Sequence, residues 1–124
     1  MMKEKILRVS FIFIVLLIVI LLFTIVDHSI HGLEKAWSVP DYYFRDKIPF
    51  GFLWGLVGLL VARKFQRVSL KALAVSGIIA TTLQFRYFIE GYPINFVLVF
   101  MLIHFIVLYL LSLVMFLILN KNKL

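Results

Sequence analysis

The strongest constraint on this chain is a series of four apolar runs, at about 6–26, 48–62, 70–89 and 94–119. Roughly 20 apolar residues, rising 1.5 Å each in a helix, cross the ~30 Å hydrocarbon core of a bilayer. The second run is short, but Pro49 is expected at its helix start and the aromatic residues before it can extend it through the interface. The runs are continuously apolar and do not alternate, so they read as helices and not as barrel strands. Of the 124 residues, 64% are hydrophobic and thirteen are phenylalanine, more than a water-soluble chain of this size can hide. The expectation is an all-α integral membrane protein. It is one domain over 1–124, with four transmembrane helices in a compact bundle and an outer loop at 27–47.

The first run follows Lys3, Lys5 and Arg8, the flank a signal peptide would have. Its length and the Asp27-His28-Ser29 sequence after it do not fit a cleavage site, so it reads as a retained first helix. Orientation follows from basic residues near the span ends. One side would hold Lys3, Lys5, Arg8, Arg63, Lys64, Arg67, Lys71, Lys121 and Lys123, with Glu4 as its acid. The other would hold Lys35, Arg45, Lys47 and Arg86 among Asp27, Glu34, Asp41, Asp46 and Glu90. Both termini are therefore expected in the cytoplasm, in the cytoplasmic membrane. The net charge of +7 is explained by topology and by attraction to anionic lipid, and nucleic-acid binding is not expected.

Lipid tails compete for apolar side chains, so membrane helices associate through small residues that let backbones approach. Gly51, Gly55, Gly58 and Ala62 recur at spacings that put them on one stripe of the second helix. Gly77, Ala80, Thr81 and Gln84 are expected to answer from the third, across the short 63–71 connection. Trp37, Tyr42, Tyr43, Phe44, Tyr87 and Tyr92 read as interface anchors.

The polar residues need separate explanations. If the first helix continues past the membrane, Asp27, His31 and Glu34 share one face at i, i+4 and i+7, with His28 about 100° away. That segment is either the wet face of an interfacial helix or part of a site. Imidazole and carboxylate suit Zn, Cu, Fe or Mn, so a divalent transition metal is the cofactor this pattern allows. The metal-ligand candidates are His28, His31, Glu34 and Glu90, with Asp41 or Asp46 as other outside donors. Arg86 lies near the outer end of the third helix. It is expected to pair with Glu90, at i+4, and with Asp27, as a structural tie. His104 falls near the bilayer midplane, and Thr81, Thr82 and Gln84 are its expected partners.

The chain has no cysteine, no glycine-rich phosphate loop and no G-x-S-x-G, and nothing nominates a catalytic nucleophile. Three functions fit. The first expectation is a non-catalytic helical subunit or partner of a larger membrane complex, or a homo-oligomer, embedded in the lipid bilayer. The second is a membrane enzyme or transport module built on a metal. The third is a small oligomeric transporter or channel.

Overall fold

The computed structural model describes residues 1–121. It is all-helical: α1 (Met2–His31), a 3-10 turn (Lys35–Trp37), α2 (Tyr42–Ala62), α3 (Val68–Ile89) and α4 (Ile94–Lys121). Consecutive helices run in opposite directions, and each of α1 and α3 packs against both α2 and α4. Three of the helices, α1, α3 and α4, are long and apolar enough to cross a membrane. Their outer faces fit that solvent. Ile14, Ile18 and Leu22 of α1 and Leu98, Leu102 and Leu110 of α4 are exposed, apolar and turned away from the bundle.

The fourth helix differs from expectation. α2 begins at Tyr42, so Pro49 lies inside it and not at its start. Proline has no N–H to give the carbonyl four residues back, which weakens one turn of the helix. The earlier start carries Arg45, Asp46 and Lys47 into the helix, and α2 is not among the helices apolar enough by composition alone to cross. The segment expected as an outer loop, 27–47, is correspondingly shorter as a loop. α1 runs on to His31 and α2 has begun by Tyr42.

α3 stops for a reason visible in its sequence. Gly91 takes φ +84°, a conformation costly for other residues. The Tyr92 N–H then reaches the Tyr87 carbonyl at 3.1 Å, and the Gly91 N–H reaches that of Phe88 at 3.2 Å. This pair of bonds is the glycine-terminated helix end that satisfies the last carbonyls. It folds Tyr92 onto Tyr87, and Pro93 then leads into α4.

Two apolar clusters fill the interior. One, toward the α2–α3 connector, includes Leu16, Ile20, Val75, Ile79, Leu108 and Met115. The other is aromatic, lies toward the α3–α4 connector, and contains Tyr43, Tyr87, Phe96 and Phe100. The glycine stripe of α2 is buried, but it faces two partners. A Cβ at Gly51 would lie 3.2 Å from Ile20, and one at Gly55 2.9 Å from Leu16, both on α1. A Cβ at Gly58 would lie 2.9 Å from the Val75 backbone of α3. Ala62 is buried at the end of the stripe. Gly77 does not answer it: a Cβ there meets nothing within 4 Å.

The two glycines should therefore respond oppositely to alanine. Gly58→Ala must push α3 away and is expected to lower thermal stability in detergent by about 1–3 kcal/mol. Gly77→Ala meets open space and is expected to be neutral or to stabilise by up to ~1 kcal/mol through helix propensity. Similar melting temperatures for the two variants would count against a close α2–α3 backbone contact.

Candidate functional site

Five buried polar side chains, drawn from all four helices, meet between the two clusters. They are Asp27 and His31 from α1, Lys47 from α2, Gln84 from α3 and His104 from α4. Each sits on the inward stripe of its own helix. Asp27 and His31 continue Leu16, Ile20 and Phe23; Lys47 continues Gly51, Gly55 and Gly58; His104 lies between Phe100 and Leu108. Side-chain exposure is 1% at Asp27, 4% at Lys47 and 0% at His104, so these groups depend on one another rather than on water.

Asp27 is the hub. Its Oδ2 accepts from the Lys47 ammonium. Its Oδ1 lies 2.7 Å from His104 Nε2 and 3.3 Å from His31 Nε2. The far sides of both rings are also bound. His31 Nδ1 is 2.7 Å from the Trp37 carbonyl, and His104 Nδ1 is 2.7 Å from Gln84 Oε1. Gln84 in turn donates through Nε2 to the Val97 carbonyl.

The partners fix the tautomers. A carbonyl oxygen can only accept, so Val97 orients the Gln84 amide with its nitrogen outward and its oxygen toward His104. Both histidines must therefore carry a proton on Nδ1 to donate to an oxygen. In each neutral ring Nε2 is then a lone pair; that of His104 faces Asp27 Oδ1, and that of His31 lies beside the same oxygen. Lone pairs facing one another repel, so a positive centre belongs between them, either a proton or a metal ion. Asp27, His31 and His104 each offer one such atom, and the three atoms lie within 4.8 Å of one another. A histidine ligand whose other nitrogen donates to a carbonyl is the ordinary outer-shell arrangement of metal sites.

Aromatic rings close the site. Phe100 stacks on His31 at 4.0 Å with planes 5° apart, and Phe23 meets His104 edge-on at 5.3 Å. The Tyr87 hydroxyl is 3.4 Å from His31 Nε2, beside the point where the ligand atoms converge. Tyr43, Phe44 and Tyr87 are all buried, so they line the site and do not act as the interface anchors expected from sequence.

Of the expected metal ligands, His31 is brought into this cluster and the others are not. α1 ends at His31, with Gly32 as its C-cap, and Glu34 takes an extended conformation before the 3-10 turn. Glu34 therefore does not share a face with Asp27 and His31, and its side chain is exposed. His28 is also exposed and packs edge-on against Phe44. Glu90 is exposed and pairs with Arg86 at 3.6 Å. Arg86 is held more closely by Asp46 of α2, at 3.0 Å, and does not pair with Asp27, whose partner is Lys47. His104 meets Gln84 as expected, but Thr81 is exposed and Thr82 bonds to carbonyls of its own helix.

Lys47 was missed because it was counted with the outer charges. The signal that finds it is its spacing from Gly51, Gly55 and Gly58, which places it on the glycine stripe once α2 starts before residue 47. Asp27 and His104 were read as structural, at different depths, and their mutual contact has no trace in spacing.

The chain matches no protein-family model, no curated protein and no solved structure, so the site is read from its own chemistry. Removing one partner of a buried ion pair leaves an uncompensated charge, typically at a loss of about 3–5 kcal/mol. Asp27→Asn and Lys47→Met are each expected to lose that much stability. The double variant should recover part of it, as read from a double-mutant cycle of thermal unfolding in detergent. Strictly additive losses would show that the two side chains are not coupled.

Proposed function

We propose that this protein is a membrane-embedded metalloprotein, most simply a metal-dependent enzyme, that holds a divalent transition metal on Asp27 Oδ1, His31 Nε2 and His104 Nε2. The observation that carries this reading is the convergence of two Nε2 lone pairs beside one carboxylate oxygen, with both Nδ1 positions already committed to carbonyl acceptors. Two histidines and one carboxylate form a donor set used by zinc and by non-haem iron, and they leave coordination positions open for water or substrate. The 3.3 Å separation of His31 Nε2 from Asp27 Oδ1 already suits neighbouring ligands. With metal–ligand bonds of about 2.0–2.2 Å, His104 would withdraw from Asp27 by about half an ångström and the three donors, now within 4.8 Å of one another, would draw in around the ion. The Lys47 ammonium stays on the other carboxylate oxygen, where it steadies a one-oxygen carboxylate ligand.

A resident metal is favoured over a transported one. Beyond His104 toward the chain termini, the buried polar side chains among the described residues include Ser76 and Ser112. Hydroxyls of this kind do not make a relay of strong ligands along which an ion could cross.

The same reading places all four helices across the bilayer with both termini cytoplasmic. α2 can cross because Asp27 neutralises Lys47 within the bundle, and the apolar stretch after it covers about 22 Å at 1.5 Å per residue. The basic residues of the α2–α3 connector then lie inside. Since the chain has no cysteine, single cysteines can test this. Ser38→Cys, at an exposed position of the α1–α2 connector, is expected to react with an impermeant maleimide on intact cells, and Gln66→Cys only after the membrane is opened. The reverse pattern would invert the topology.

For the metal, protein purified in mild detergent is expected to bind Zn²⁺ or Mn²⁺ at one equivalent per chain, measured by calorimetry and elemental analysis. His31→Ala and His104→Ala should each abolish binding. Gln84→Leu should weaken it about 10–100-fold, as loss of an outer-shell partner does. His28→Ala, Glu34→Ala and Glu90→Ala should leave it unchanged. A wild-type protein that holds no more of either ion than a folded His31→Ala/His104→Ala double variant would sink the proposal.

A further inference from the structure

A groove of about 520 Å³ opens between α2 and α3, within the size range of small-molecule sites. Its lining changes along the helix axes. Toward the middle of the bundle the walls are Phe50, Trp54 and Leu83; at the end nearest the α3–α4 connector they are Asp46, Arg86 and Glu90. An apolar depth and a charged mouth, aligned with helices that cross a bilayer, match an amphiphile oriented like the surrounding lipid.

The charges at the mouth select its head. Arg86 is 32% exposed, Asp46 34% and Glu90 40%, so all three are within reach of a ligand. The guanidinium lies 3.0 Å from Asp46, 3.6 Å from Glu90 and 4.0 Å above the Tyr43 ring. Arg45 adds a second guanidinium, 3.7 Å from Asp46, so two carboxylates stand with two guanidiniums, while the nearby Lys47 ammonium is turned toward Asp27. A purely anionic head would bring a negative charge that this balanced mouth leaves unmatched. A head with both phosphate and ammonium matches it, the phosphate on Arg86 and the ammonium on the carboxylates.

We propose that this groove holds one acyl chain of a zwitterionic phospholipid, with its head at Asp46, Arg86 and Glu90. Two of the groove's wall residues touch the proposed metal ligands: Lys47 bonds to Asp27, and the Tyr87 hydroxyl is 3.4 Å from His31 Nε2. The head is therefore held beside the Asp27 centre. That the lipid is the substrate of that centre rests on the metal reading; its binding does not.

The test uses the full chain in lipid vesicles containing phosphatidylethanolamine with a photoactivatable group in its acyl chain, or the phosphatidylglycerol equivalent, and maps the labelled residues by mass spectrometry. The zwitterionic probe is expected to mark Phe50, Trp54 and Phe85 about tenfold over Leu102 and Leu110, which also face outward, the ratio a single good charge-assisted contact gives. Thr82→Trp, which fills the groove from its wall, should remove the excess, and Arg86→Gln should reduce it. His104→Ala should keep it, so failure of the metal reading would leave this one standing. Even labelling of the groove and α4 overturns the site. Equal excess from the glycerol-headed probe overturns the choice of head.

Discussion

The structure turns on one carboxylate placed where water cannot reach it. Taking an ion out of water costs several kcal/mol even after the protein relaxes, so Asp27 can be buried only if other groups come to it. Lys47 supplies a countercharge from α2, His104 approaches from α4, and His31 approaches from the next turn of α1. Gln84 of α3 enters through His104. One acid therefore ties all four helices together, and it sets their relative height as well as their contact. A slide of any helix by one turn, about 5.4 Å, would break at least one of these bonds. Apolar packing has no such discrimination in lipid, where one leucine is exchanged for another or for an acyl chain.

That polar register depends in turn on close approach elsewhere. Lys47 reaches Asp27 because α2 lies tight against α1 one and two turns further along, where Gly51 and Gly55 leave room for Ile20 and Leu16. Gly58 does the same against the backbone of α3. The stripe and the ion pair are thus one device. Small residues set the distance between the helices, and the charge pair at the end of the stripe sets their register.

The helices themselves were legible in the sequence because a bilayer demands long apolar runs, and the inward stripe of α2 was legible from its glycines. Helix ends were less so. α2 starts before its apolar run does, because its first turns hold charges that the bundle neutralises, as Lys47 shows. The site was half legible. His31 is among the residues singled out and lies in the buried cluster, and Gln84 is the expected partner of His104. The grouping failed at Glu34, where Gly32 ends the helix that would have carried it round to Asp27. It failed at Gly77, which shares a sequence pattern with packing glycines but has no helix opposite. The meeting of Asp27 with His104, 77 residues away, depends on the order in which helices close the bundle, and no spacing within one helix encodes that.

The proposal of a metal over a proton at the centre rests on the two rings together. A single proton shared between His104 Nε2 and Asp27 Oδ1, 2.7 Å apart, satisfies that pair completely. It does nothing for His31. That ring has spent its Nδ1 proton on the Trp37 carbonyl, and its Nε2 lone pair lies 3.3 Å from the same oxygen. The available donor is the Tyr87 hydroxyl at 3.4 Å, at the long limit of a hydrogen bond. A second proton would satisfy His31, and the two protons together would add as much positive charge as one divalent ion beside the Lys47–Asp27 pair. Under the proposed reading a divalent ion would bring that charge while meeting both lone pairs and the carboxylate oxygen at once. The stacking of Phe100 on His31 adds to the Trp37 carbonyl bond in holding the ring in place.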